Sequence, residues 1–517
     1  MPNLQLLQNI VGGSRQADRR ILNSSYSQNM YPEPQGEGAL SSSVLRSIQG
    51  METRLELPGT PRGSFVASRG LRGEERLFVC YDTAVYAIDT DGKGGYVATK
   101  CFNVALSSSP VSFCETGGGA ESTYLVCVDG TNCFAVKADT DPNDFATGYH
   151  VITLPVNAKG ETIRPTHCAY LYNYLVVNDV NSDAFYRSEA YPFENEESGK
   201  TNYDIFTHDV VLEETLTTGF YTFAEWMPDN ITALISTGSN LWVMGDRSFQ
   251  VFQYQNSVNN PFTSPNTAAQ AIGILAPHSL ARIGEQVFWL GASDIGHLGV
   301  YQASGTSPKR ISNPDLEREM ASLDSPNAAV GQAWVENAHL FYAITLGGKT
   351  FVYDASTGLW HNRVSTTYGT NKDNEWRYKF AIRYGSKVWF FTRGACVTQT
   401  ESKFTEHDGT PIIRIRRGGA IINNFQPFFI DAVRLVCTNG YASQTEYNPC
   451  VMMRYSTDLV SDWNERIGSL GRRGQYDFVT EFLDLGLASS FVLEFSCSDN
   501  CPFDIIACPI VWTACGM

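Results

Sequence analysis

Positive charge is scarce in this chain. Its 38 lysines and arginines are outnumbered by 54 aspartates and glutamates, for a formal charge of −16 at pH 7. That balance argues against a protein whose main work is gripping nucleic-acid backbone. It is compatible with DNA passing nearby, because an acidic wall repels phosphate and keeps a duplex from sticking. Residues 1–17 lack the basic start and apolar core of a secretion signal. No apolar run approaches the roughly 20 residues of a spanning helix. The most apolar C-terminal stretch, 503–515, is broken by Asp504 and Pro509. A soluble chain is expected.

The motifs of common chemistries are missing as well. The eight histidines stand alone, and there is no H-E-x-x-H, no G-x-S-x-G and no G-x-x-x-x-G-K-[ST]. Glu194, Glu196 and Glu197 lie close together but read as a solvated acidic loop rather than an acid–base pair. The thirteen cysteines are an odd number and mostly scattered, so they read as reduced core thiols. The one dense group, Cys497, Cys501, Cys508 and Cys515, lacks the paired C-x2-C spacing of zinc ribbons. Residues 456–463 come close to the S-x-D-x-G-x-x-W turn of sialidase propellers, with Val460 where glycine belongs. In that box the Asp side chain bonds turn amides and the Trp packs beneath it. No Tyr nucleophile with a carboxylate and an arginine cluster can be assembled around it. The sequence therefore predicts no catalytic residues, no metal and no cofactor.

What is present is a recurring unit: a short apolar run, a tight turn, then a second run carrying Tyr or Phe. Each copy reads as a β-hairpin. The copies begin at Leu77, Tyr124, Ala169, Leu241, Val287, Leu340 and Val388, separated by 47, 45, 72, 46, 53 and 48 residues. Most intervals match the roughly 40–50 residues of a four-stranded propeller blade. The expectation is an all-β chain with a β-propeller of about seven blades, within a range of six to eight, because the 72-residue interval leaves room for an insertion. A tandem of β-sandwiches is the alternative, though its strand pairs would not repeat at this interval. In 287–291, VFWLG, the apolar residues are continuous, as a strand buried on both faces requires.

Helix signals are few. Asn313 can cap a short helix over 314–323, with Pro314 at its first position and Leu316, Met320 and Leu323 on one face. Past about residue 417 the blade pattern stops and different strands follow. The expected domains are an extended arm over 1–50, the propeller over 51–420 and a β-sandwich-like domain over 421–517.

Five arginines are candidate contacts for a protein partner or for DNA. Arg414, Arg416 and Arg417 lie in an alternating run, with Arg414 and Arg416 on one strand face. Arg472 and Arg473 lie in GRRGQY, which reads as a hairpin tip. Guanidinium groups there suit carboxylates of a neighbour or phosphates. The plainer alternative is a solvent-facing strand guarding a sheet edge.

Several segments, in order, resemble the packaged-DNA stabilisation proteins, or tail hubs, of short-tailed bacteriophages. They are 20–34 (RILNSSYSQNMYPEP), the Arg62-Gly63 pair, and a long stretch over 228–320. That stretch holds PDNITAL, VMGDRSFQVFQYQ, GILAP, VFWLG and RISNPDLEREM. The pattern from Arg454 to Trp463 and SLGRRGQYDFVTEFLDLG over 469–486 complete it. The chain departs from the family in carrying Asp477, Glu481 and Asp484 where arginine is common, which weakens the case for a basic surface there. The resemblance implies a non-enzymatic virion protein that forms a homo-hexameric ring in the tail. It would sit below the portal and adaptor ring and above the tail needle, with tailspikes or fibres beside it. Packaged double-stranded DNA would pass through without sequence-specific binding. A propeller glycan hydrolase and a receptor-binding tail protein are the alternatives.

Overall fold

The structure is a computed structural model. It describes all residues except 1–2, 7–9, 16–23, 38–40, 118–122, 158, 191, 194–201, 204, 207–209, 213–214, 218–220, 225–226, 228, 258–260, 266–268, 294–295, 367–372, 425, 442–447, 459–461 and 516–517.

Among the described residues the apolar hairpins form the middle strands of seven successive sheets. Blade one runs outward through Pro61–Ala67, Arg76–Tyr81, Ala84–Thr90 and Tyr96–Asn103. Blades two, three and four start from innermost strands Ser112–Glu115, Cys168–Leu171 and Ile231–Thr237. Blade five starts from Ile272–Ile274 with Ala281–Ile283, blade six from Val330–Glu336 and blade seven from Lys379–Tyr384. Innermost segments of neighbouring blades touch all the way round, and Lys379–Tyr384 against Pro61–Ala67 completes the circle. The fold is a β-propeller.

Packing between blades explains why these runs are unbroken in sequence. Successive side chains of a strand point to opposite faces. A blade wedged between two others therefore needs apolar residues at every position. In Arg76–Tyr81, Phe78 and Cys80 pack towards blade two, while Leu77, Val79 and Tyr81 pack towards blade seven. In Gln286–Ser293, Val287 and Trp289 face blade four, and Phe288 and Leu290 face blade six. All four are completely buried.

The long interval in the repeat is an excursion within blade three. After Ala184–Arg187 the chain adds Asn202–Tyr203 to the outside of blade two and forms a separate ladder, Val210–Leu212 with Thr215–Thr217. It returns as the outer strand of blade three, Tyr221–Phe223. The helix forms over Pro314–Ala321. The Asn313 side chain accepts from the Leu316 amide at 3.0 Å, and Leu316 and Met320 fill the interface of blades five and six.

Two strands far apart in sequence close the ring. Gly50–Glu56 pairs antiparallel with Ala395–Thr400 as the outer strand of blade seven. A second N-terminal strand, Tyr26–Gln28, joins the ring to the C-terminal region. It pairs in parallel with Leu359–Asn362 of blade six on one side and antiparallel with Arg414–Arg417 on the other. The sheet continues through Val492–Cys497, Cys450–Ser456 and Asn464–Ser469 to nine strands. A seven-stranded sheet centred on Phe428–Cys437 also takes in the N-terminal strands Asn3–Leu6, Met30–Pro34 and Ser43–Ser47. Side chains from both sheets, including Met30, Leu45, Val433, Met453, Phe482 and Phe495, share one core.

Candidate functional site

The arginine run forms a buried seam between ring and C-terminal sheets. Arg414–Arg417 is an interior strand, paired with Tyr26–Gln28 and with Val492–Cys497. Arg414 is 0% and Arg416 1% exposed. The Arg414 guanidinium donates to the carbonyls of Cys497 (3.3 Å), Cys501 and Asp499 and to Cys497 Sγ at 3.4 Å. Arg416 donates to the carbonyls of Ile10 (2.7 Å), Gly13 (3.1 Å) and Tyr26 (3.5 Å). Burial pulls Arg416 down to about 9, which leaves it charged at neutral pH. Both residues are internal struts. The expectation that they contact a partner or DNA is therefore corrected: their donors are spent inside the chain. The strand is also not an exposed edge.

Arg417 differs. It is about one-third exposed and binds Glu494 Oε2 through Nε (2.9 Å) and Nη2 (2.6 Å). Arg454 meets the other oxygen of Glu494 at 3.3 Å, and both arginines stack on Trp463 at 5.5 and 5.1 Å. Trp463 closes the sialidase-like box. There Asp458 accepts from Ser456 Oγ at 3.0 Å, a turn device; residues 459–461 lie outside the described residues. Arg472 and Arg473 are exposed on the turn between Asn464–Ser469 and Thr480–Ala488, where Gly471 and Gly474 take positive φ. The five candidates thus split into two internal, one paired and two on an exposed turn.

Sequence reading missed the face of the ring where the inner strands begin. Two cavities open there. One, about 780 Å³, is lined by loops of blades two to four, including Lys159, Glu161 and Arg164. The other, about 450 Å³, is lined by Arg62, Glu375, Arg377, Lys379 and Arg393 among others. Among the described residues each has one carboxylate in its lining, not the acid pair of glycoside hydrolysis. Near this face His167 and His278 stack at 5.3 Å. Burial, then the His278 charge, drives His167 down to about 3; burial, then Arg62, drives His278 down to about 4. The only sequence signal here was the Arg62-Gly63 pair, which carried no chemistry until the ring brought 62 beside 375–393.

Among the described residues no group of three or more His, Cys, Asp or Glu is placed to hold a metal, and none of the thirteen cysteines forms a disulfide. Glu194, Glu196 and Glu197 lie outside the described residues. No helix among those described is long and apolar enough to cross a membrane.

Residues 200–394 match the family described as Phage_stabilise, "Bacteriophage P22 Gp10, beta-propeller". The match takes in all of blades four, five and six and the first two strands of blade seven. No curated protein matches the chain. Among solved structures, the AfRom2 CNH domain aligns with a TM-score of 0.34 at 8% identity, covering 68% of this chain and 97% of that chain.

Proposed function

We propose, for a chain that belongs to the phage stabilisation family through its residues 200–394, that it is the tail hub that holds packaged double-stranded DNA in the capsid. The match over residues 200–394 supports a phage structural protein of the P22 Gp10 type. In the finer reading, six copies form a ring in the virion tail, assembled in the host bacterial cytoplasm. The ring sits below the portal and adaptor, above the needle and beside the tailspikes. Residues 51–420 serve as the stiff ring, 421–517 as a β-sandwich-like unit facing neighbours and 1–50 as the arm that ties them. The hub works without covalent chemistry: many subunit contacts together resist DNA pressure.

The family match carries the reading. Further support comes from an apolar patch on one C-terminal sheet. Phe429 and Leu487 pair across strands, with Leu483 nearby, at 47%, 51% and 57% exposure. Exposed apolar clusters of this kind mark protein contacts. Arg472 and Arg473, on an exposed turn, suit an acidic neighbour or passing phosphates.

The test is a phage genome with this protein deleted. Particles that fill normally and then leak DNA support the hub; particles that stay full overturn it.

A further inference from the structure

We infer that the 450 Å³ cavity at the ring face is a binding site for a small phosphate-class dianion. The proposal is independent of the tail-hub reading. Its volume lies within the range of about 300–1,000 Å³ typical of small-molecule sites. Four cationic side chains and one carboxylate line it, in a chain whose overall charge is strongly negative.

Arg62 is the anchor. It is 2% exposed, and its position is fixed from inside the protein. Nε donates to the Ser109 carbonyl at 2.8 Å, and Nη1 donates to the carbonyls of Asp82 (2.6 Å) and Ala105 (2.8 Å). That leaves Nη2, which is buried without a hydrogen-bond partner among the described residues. A guanidinium held rigidly with one end unpaired is preorganised for an oxyanion. Lys379 and Arg393 add charge from the start of blade seven and from the turn between its second and third strands. Arg377 joins them, already held by Asp408 at 2.6 Å and by the Thr366 carbonyl at 3.1 Å. The carboxylate in the lining, Glu375, is paired with Lys379 at 2.9 Å. An incoming dianion competes with Glu375 for that ammonium, so the carboxylate limits affinity.

The test is titration of the full-length protein with inorganic phosphate at constant ionic strength, read by calorimetry and by melting temperature. Saturable one-site binding is expected. K379Q and R393Q should each weaken it by about tenfold, as loss of one charge-assisted contact does, with the phosphate-free melting temperature unchanged. E375Q should tighten binding, a reversal that general damage to the fold cannot produce. R62K should weaken it most, and if that variant fails to fold, the other three decide. Dimethyl phosphate stands in for a nucleic-acid backbone and succinate for acidic side chains. Either one binding as tightly as phosphate overturns the proposal. So does absence of saturation, or equal affinity in K379Q and E375Q.

Discussion

Trp289 offers a direct measure of how blades hold each other. It is fully buried between blades four and five, stacked on Tyr301 at 5.5 Å and close to Phe249 (5.9 Å) and Trp242 (6.0 Å). Truncation to alanine removes most of a side chain that buries roughly 150–250 Å², and at ~25 cal/mol per Å² this costs about 4–6 kcal/mol. Measured Trp and Phe truncations in cores run at about 3–5 kcal/mol. The indole nitrogen adds a second consideration: Nε1 has no hydrogen-bond partner among the described residues. An unsatisfied buried donor costs about 1–3 kcal/mol. Trp289→Phe removes that penalty while keeping most of the ring contacts, so it should cost under about 1 kcal/mol. Urea unfolding by circular dichroism, with hydrogen exchange over 240–245 and 286–293, tests both variants. Equal losses from W289F and W289A would show that the indole N–H is satisfied and that the packing argument is wrong.

Three further outcomes are expected. Arg416→Met strands the carbonyls of Ile10, Gly13 and Tyr26 and should cost about 2–4 kcal/mol locally; limited proteolysis should cut near residues 10–15 faster while the ring stays resistant, and unchanged cutting would refute the strut. His167 and His278 are held near 3 and 4 in the fold against 6.5 when free. Their stabilising contribution is therefore intact above about pH 6.5 and drains away as pH falls towards 4, because the unfolded chain binds the protons first. His167→Gln should flatten the fall in melting temperature between pH 7 and 4.5, and parallel curves would refute this. On the proposed hexameric reading, Leu483→Asp with Leu487→Asp should leave only monomer on native mass spectrometry, with the melting temperature within a few degrees; a hexamer that persists would refute this patch as the subunit contact.

The blades were legible because double-sided burial leaves an unusual trace: apolar runs such as 77–81 and 287–290 without polar interruptions, spaced at blade intervals. The same logic is silent on the N-terminal fifty residues. Ser27, Gln28 and Asn29 read only as part of an extended arm, and each is 0% exposed. Their polar groups are satisfied by distant partners: Asn29 Nδ2 reaches the carbonyls of Val364 and Ile413, both at 2.9 Å, and Gln28 Nε2 reaches Ile413 at 3.3 Å. A polar residue bonded across more than 300 positions looks the same in sequence as one bonded to water. Arg414 and Arg416 were misread for that reason too. Their alternation correctly put them on one face, but only the paired strands on both sides reveal that the face is internal.

The strand that completes blade seven is made early and its partner late. Glu56 leaves the ribosome well before Ala395, with which it pairs, and at ~5–20 residues per second the wait is roughly 17–70 s. Throughout that interval Gly50–Glu56 lacks its mate, and the ring stays open until blade seven is made. A half-made ring with an open seam invites the wrong neighbour, above all another nascent copy offering the same free edge. Correct assembly is therefore a race between finishing one chain and meeting a second, and slower synthesis or crowded expression should tip it towards interlocked, strand-exchanged rings.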